Sequence, residues 1–177
     1  MPVQILCSNC AKEFTSEESG GDPGGPYGVC EACSILFKLQ PGPELTNFLE
    51  TIPLPTLVVN PDLRVVAYNE KYLKNLSGGK AKSIGLLTGE FMDCQNALRE
   101  ERCGGSAACL DCAIRQTAVK TLKTGKPQND VRAFLDQLFG GHKQRLELLL
   151  YTNKLGHLIQ ITIRTFFIVL EPPSKTP

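Results

Sequence analysis

The chain has 177 residues, 42% of them apolar and 21% charged, a globular balance that excludes a disordered chain. The formal charge of +1 offers no overall field for nucleic acid or a membrane surface. No apolar run reaches the ~18 residues of a bilayer span, and the opening Met-Pro-Val-Gln-Ile-Leu-Cys is not a signal peptide, so a soluble, cytoplasmic protein is expected.

That length allows one ordinary domain and a small accessory module. In reducing cytosol, clustered cysteines serve as metal ligands or redox groups more often than as disulfides. Cys7-x2-Cys10 and Cys30-x2-Cys33 lie within the first forty residues. Each C-x2-C turn can offer two thiolates to one ion, and two turns complete a tetrahedron. The Gly/Pro-rich loop between them, SGGDPGGPYG, cannot build a core, so a metal would supply what burial does not. Residues 1–40 are therefore expected to form a zinc-ribbon-like module, with zinc on Cys7, Cys10, Cys30 and Cys33. A redox dithiol pair or a rubredoxin-type iron centre are the alternatives. Two basic side chains against five acidic ones leave this segment at −3 and the remainder at +4, the wrong sign for a nucleic-acid-binding finger.

Pro41-Gly42-Pro43 marks a boundary. Leu45, Phe48, Leu49 and Ile52 then follow helical spacing, giving a short amphipathic helix that either packs on its own domain or serves as a dimerisation surface. TLVVN and RVVAY are strands around a Pro61-Asp62 turn. NEKYLKNLSGG is a helix capped by Asn69 and stopped by Gly78-Gly79. AIRQTAVKTLKTGKP is a longer helix with Ile114, Ala118, Val119 and Leu122 on one face and Gly125 and Pro127 at its end. NDVRAFLDQL, KQRLELLLYT and HLIQITIRTF form an antiparallel meander through the turns FGGH and NKLG. In the last strand Ile159, Ile161 and Ile163 alternate with Gln160, Thr162 and Arg164, which predicts one buried and one wetter face. Two strands, a run of helices and three strands make an α+β domain with a five-stranded antiparallel sheet.

PTLVVNPDLRVVAYNEKYL at 55–73, AVKTLKTGKP at 118–127 and the closing meander together resemble the PAS family of small sensory modules, over residues 44–170. The resemblance implies flanking helices, a signalling role and a protein partner such as an output protein. No kinase, cyclase or DNA-binding segment follows the domain, and residues 171–177 are expected to be a flexible tail. The stretch GEFMDC…CGGSAACLDCAIR resembles a cysteine-rich insert of some bacterial PAS-containing signalling proteins, in a region that flanks the family's ligand cavity. Photosensory members carry a cysteine in an N-C-R-F-L-Q motif. Here Cys94 precedes Gln-Asn-Ala-Leu, which argues against a flavin adduct. His142 and His157 both fall at strand turns and are not assigned as haem ligands.

The second cluster has the spacing C-x8-C-x5-C-x2-C: Cys94, Cys103, Cys109 and Cys112. Gly104-Gly105 allows a sharp fold after Cys103. Cys109 and Cys112 are expected in the first turn of the next helix, where free amides favour thiolate. Arg99, Arg102 and Arg115 stand near enough in sequence to offset an anionic site, or else form a solvated face. An iron–sulfur cluster, a structural zinc and a metal-free thiol switch are all chemically open. CLDC is followed by Ala113 rather than His, which excludes covalent c-type haem.

No nucleophile elbow, phosphate loop or dinucleotide fingerprint is present, and Glu100-Glu101 is a poor acid/base couple because helix neighbours do not face each other. A non-enzymatic protein is expected. One reading is a sensor whose second cluster reports redox, oxygen or metal state to a partner protein. The other is an interaction scaffold with two structural zincs.

Overall fold

The computed structural model describes residues 4–7, 12–15, 27–28, 42–100 and 102–170. At the N-terminus, β1 (Gln4–Cys7) pairs antiparallel with β2 (Glu13–Thr15) and parallel with β3 (Tyr27–Gly28). The register sets Cys7 opposite Gly28, two residues before Cys30 in sequence. Cys10, Cys30 and Cys33 lie outside the described residues, as does the C-terminal stretch 171–177.

Helix α1 (Pro43–Glu50) starts with proline in its first turn, where a missing N–H costs nothing. It buries Leu45 and Leu49 completely, in a cluster with Val58, Ala67 and Leu158. The helix thus packs on its own sheet, and of its apolar stripe Phe48 stays largely exposed. Strands β4 (Thr56–Val59) and β5 (Val65–Tyr68) follow around the Pro61-Asp62 turn. Leu57 and Val59 enter the main core while Val58 faces the α1 cluster, which explains why β4 is buried on both sides.

Asn69 caps α2 (Glu70–Leu76) and does more than cap. Its carbonyl oxygen accepts from the Tyr72 amide at 3.1 Å and the Thr56 amide at 3.0 Å. Its amide donates to the carbonyls of Leu49, Ile52 and Leu54. One buried side chain therefore joins α1, β4 and α2. Short helices α3 (Thr88–Phe91) and α4 (Gln95–Arg99) lead to the 3-10 turn Ala107–Cys109 and then to α5 (Ala113–Thr124). Gly125 ends α5 in the left-handed conformation, φ 68°. Ile114 and Ala118 are buried as the helical spacing predicts, joined by Thr117 and Thr121.

Strands β6 (Gln128–Phe139), β7 (His142–Leu155) and β8 (Leu158–Val169) complete a five-stranded sheet in the order β5-β4-β8-β7-β6, antiparallel throughout. The sheet with its helices inserted between second and third strands is the PAS-like α+β architecture the resemblance implied. Two details differ from expectation. Strand β7 runs on to Leu155, so its turn is Gly156-His157 rather than NKLG. Gln160 and Thr162 are buried like the isoleucines, because their side of β8 lies beside the α1 cluster, with Gln160 paired to Val58. Their polar atoms are satisfied there. Gln160 donates to the Thr162 hydroxyl at 2.9 Å, which lies 3.1 Å from that of Thr56.

Candidate metal centre

The four cysteines of the second cluster arrive on three stretches of backbone, Cys109 and Cys112 sharing one turn. Cys94 is the N-cap of α4. Its amide donates to the Gly89 carbonyl at 2.8 Å, and it bridges to Gln137 on β6. Asp93 before it takes φ 54°, and its carbonyl accepts from the Leu138 amide at 3.0 Å. The Asp93 carboxylate pairs with Lys82. Cys103 follows α4, and Gly104 turns the chain at φ 89°, as the Gly-Gly pair suggested. A Cβ on Gly89 would lie 2.8 Å from the Cys103 sulfur, so that glycine is what admits the thiol. Cys109 ends the 3-10 turn and Cys112 is the N-cap of α5. Neither lies in the first turn of the helix, because the C-x2-C segment forms its own turn first.

All four thiols are free and line one cavity of about 290 Å³, together with Gly89, Met92, Ala97, Ile114 and Arg115. Among the described residues, no three Cys, His, Asp or Glu side chains stand close enough together to hold a single ion.

The thiols differ in character. Burial pushes Cys103 above its ordinary pKa, with the neighbouring Cys109 and Cys112 adding to the rise. Burial likewise raises Cys112, and the Arg115 and Ile114 amides at the head of α5 only partly offset it. Desolvation acts on Cys109 too, but hydrogen bonds from Ser106 and the Gly104 amide, with the Arg115 charge, outweigh it and leave that thiol below its ordinary value. The Ser106 hydroxyl lies 3.3 Å from the Cys109 sulfur. The thiolate preference expected at the helix start therefore has another source at Cys109, in Ser106, Gly104 and Arg115, and at Cys112, where the α5 amides do act, burial outweighs them.

Of the three arginines, Arg115 reaches the site. Its guanidinium stands 3.1 Å from where a Cβ on Gly104 would be, and its charge acts on Cys103 and Cys109. Arg99 and Arg102 are exposed, as is Glu100, while Glu101 lies outside the described residues. His142 and His157 are both exposed. Two contributors were not singled out in the sequence. Ser106, three residues before Cys109, carries a weak signal as a capping residue. Gly89 carries none, since its closeness to Cys103 arises only on folding.

No family model matches this chain, and no curated protein matches it. Among solved structures it is similar to the PAS domain of BvgS from Bordetella pertussis, at 16% identity and a TM-score of 0.38 over 72% of this chain and 85% of that one. It is also similar to a PAS domain from Desulfitobacterium hafniense, at 17% identity and a TM-score of 0.36 over 70% of this chain and all of that one. The fold assignment rests on the strand order and helix placement above rather than on these likenesses. No helix among the described residues is long and apolar enough to cross a membrane.

Proposed function

We propose that this chain is a non-catalytic sensory protein in which Cys94, Cys103, Cys109 and Cys112 hold an iron–sulfur cluster whose state is reported to a protein partner. The observation that carries the reading is the single cavity of about 290 Å³ lined by all four cysteines. A closed zinc site needs four sulfurs about 2.3 Å from one ion, and among the described residues no three ligands stand so close, whereas a multi-atom cluster takes four cysteines around a larger volume. The donor set fits: one thiol already below its ordinary pKa, and Arg115 to offset thiolate charge. When bound, the cluster supplies one-electron redox chemistry and sensitivity to oxidants.

The residues around it supply the coupling. Cys94 and Cys112 pack against the main core, Cys94 is bridged to the β6 edge, and Cys112 heads α5, which lies on β6, β7 and β8. A change in what the thiols hold thus pulls on a helix and a sheet edge together. The exposed Phe134 on β6 and Phe167 on β8, which flank Glu147 on one face of the sheet, are the apolar surface offered to a partner. For the first cluster, Cys7, Cys10, Cys30 and Cys33 are assigned to zinc, supported by the parallel β1–β3 pairing that draws Cys7 towards the segment leading to Cys30.

The test is anaerobic purification followed by a visible spectrum and elemental analysis for zinc, iron and sulfide on one sample. Brown protein with iron and acid-labile sulfide beside one zinc per chain is expected. Colourless protein with two zincs would replace the sensor with the scaffold reading.

A further inference from the structure

Strand β6 is an edge of the sheet, so half of its backbone groups have no partner strand. Which half follows from the hairpin. Gly140 and Gly141, at φ 57° and 83°, form a two-residue turn that makes Phe139 and His142 its closing, hydrogen-bonded pair. Alternation then turns the amides of Gln137, Leu135 and Ala133 toward β7, and those of Leu138, Asp136 and Phe134 away from it. Leu138 bears this parity out, since its amide donates to the Asp93 carbonyl on the far side. Among the described residues no loop carbonyl or side chain accepts from the amides of Phe134 or Asp136. Both residues line the same cavity as the four cysteines.

We infer that the edge of β6 serves as a hydrogen-bond donor wall for the cluster, with the Phe134 and Asp136 amides donating to its sulfur atoms. This rests on the iron–sulfur reading above and adds the residues that tune it. Amide donors stabilise the more negative, reduced form, so they raise the reduction potential. They also couple the cluster to the sheet, since electron uptake strengthens N–H···S bonds along β6.

A proline at either position removes one N–H that the β6–β7 ladder does not use, a substitution an edge strand tolerates. Alanine at the same position removes the side chain but keeps the amide, which controls for the Asp136–Arg145 ion pair and for the stacking of Arg132 and Arg145 on Phe134. The experiment compares Phe134→Pro with Phe134→Ala and Asp136→Pro with Asp136→Ala in the full chain. Circular dichroism checks folding, iron and sulfide analysis checks loading, and a redox titration of the visible band gives the midpoint potential. Each proline variant is expected to lie below its alanine counterpart by about tenfold in the reduction equilibrium, ~59 mV for one electron. Loaded proline variants with the same potentials as their alanine counterparts would overturn the donor wall while leaving the cluster in place. Wild-type protein without iron would overturn the cluster reading, and the wall with it. If Asp136→Pro does not fold, Phe134→Pro decides.

Discussion

Gly89 and Tyr72 show how single atoms set this protein's tolerances. A methyl group on Gly89 meets the Cys103 sulfur at 2.8 Å and the Ala97 Cβ at 3.3 Å, so one of them must move. Gly89→Ala is expected to cost ~1–3 kcal/mol of stability, as overpacking does, and to lower iron retention by displacing Cys103. Denaturant titration and iron analysis on one preparation check both. Tyr72 is fully buried, and among the described residues its hydroxyl finds no hydrogen-bond partner. An orphaned buried hydroxyl costs free energy, so Tyr72→Phe should be neutral or stabilising by about 1 kcal/mol, read as a higher denaturation midpoint. Desolvation, with the Asp93 charge behind it, pushes the Tyr72 pKa far above its ordinary value. The sign follows directly. The unfolded chain releases this proton above pH about 10 while the folded chain keeps it, so the contribution is intact below that pH and falls as pH rises. Wild type should lose about 1.4 kcal/mol per pH unit there through this group, and Tyr72→Phe should lack that component when stability is measured at pH 10 and 11.

Among the elements, the joint of α1, β4 and α2 depends on Asn69. Its replacement by alanine strands the Thr56 amide and the Ile52 carbonyl, whereas the Tyr72 amide keeps the backbone carbonyl of residue 69, the Leu49 carbonyl keeps the Ile52 amide and the Leu54 carbonyl keeps the Thr56 hydroxyl. Each stranded group costs roughly 1–3 kcal/mol, so Asn69→Ala should destabilise the domain by at least ~2 kcal/mol, with the loss seen in the denaturation midpoint. The N-cap itself was legible from the Asn69-Glu70 start and the Gly78-Gly79 stop. The three carbonyls were not, because they belong to a helix and a linker fifteen to twenty residues earlier. The buried face of α5 was half legible: Ile114 and Ala118 follow the apolar period, whereas Thr117 and Thr121 count as polar. Thr121 is buried because its hydroxyl meets that of Thr152 on β7 at 2.6 Å, a partner 31 residues away.

For the whole molecule, the main core runs from Leu57 and Val59 through Phe91 and Ile114 to Ile163, with Cys94 and Cys112 only at its margin. The PAS-like domain should therefore outlast loss of the proposed metal centre. A Cys103→Ser/Cys109→Ser variant is expected to lose iron yet keep the far-UV circular dichroism of wild type and a single cooperative unfolding transition. Loss of that transition would make the centre a structural clasp.

The element order, the antiparallel meander, the caps at Asn69 and Gly125 and the two groups of four cysteines were all determined by the sequence alone. Each depends on local periodicity, on left-handed turns or on ligand spacing, which a linear chain records. What only the tertiary structure decided is where those pieces meet. Helix α1 clusters with Val58, Ala67 and Leu158 on the side of the sheet where β8 was expected to be wet. Burial separates Cys112 from Cys109 although only two residues lie between them. The four thiols come to share one cavity with the open edge of β6. Such outcomes depend on desolvation and on contacts between distant segments, and neither leaves a pattern along the chain.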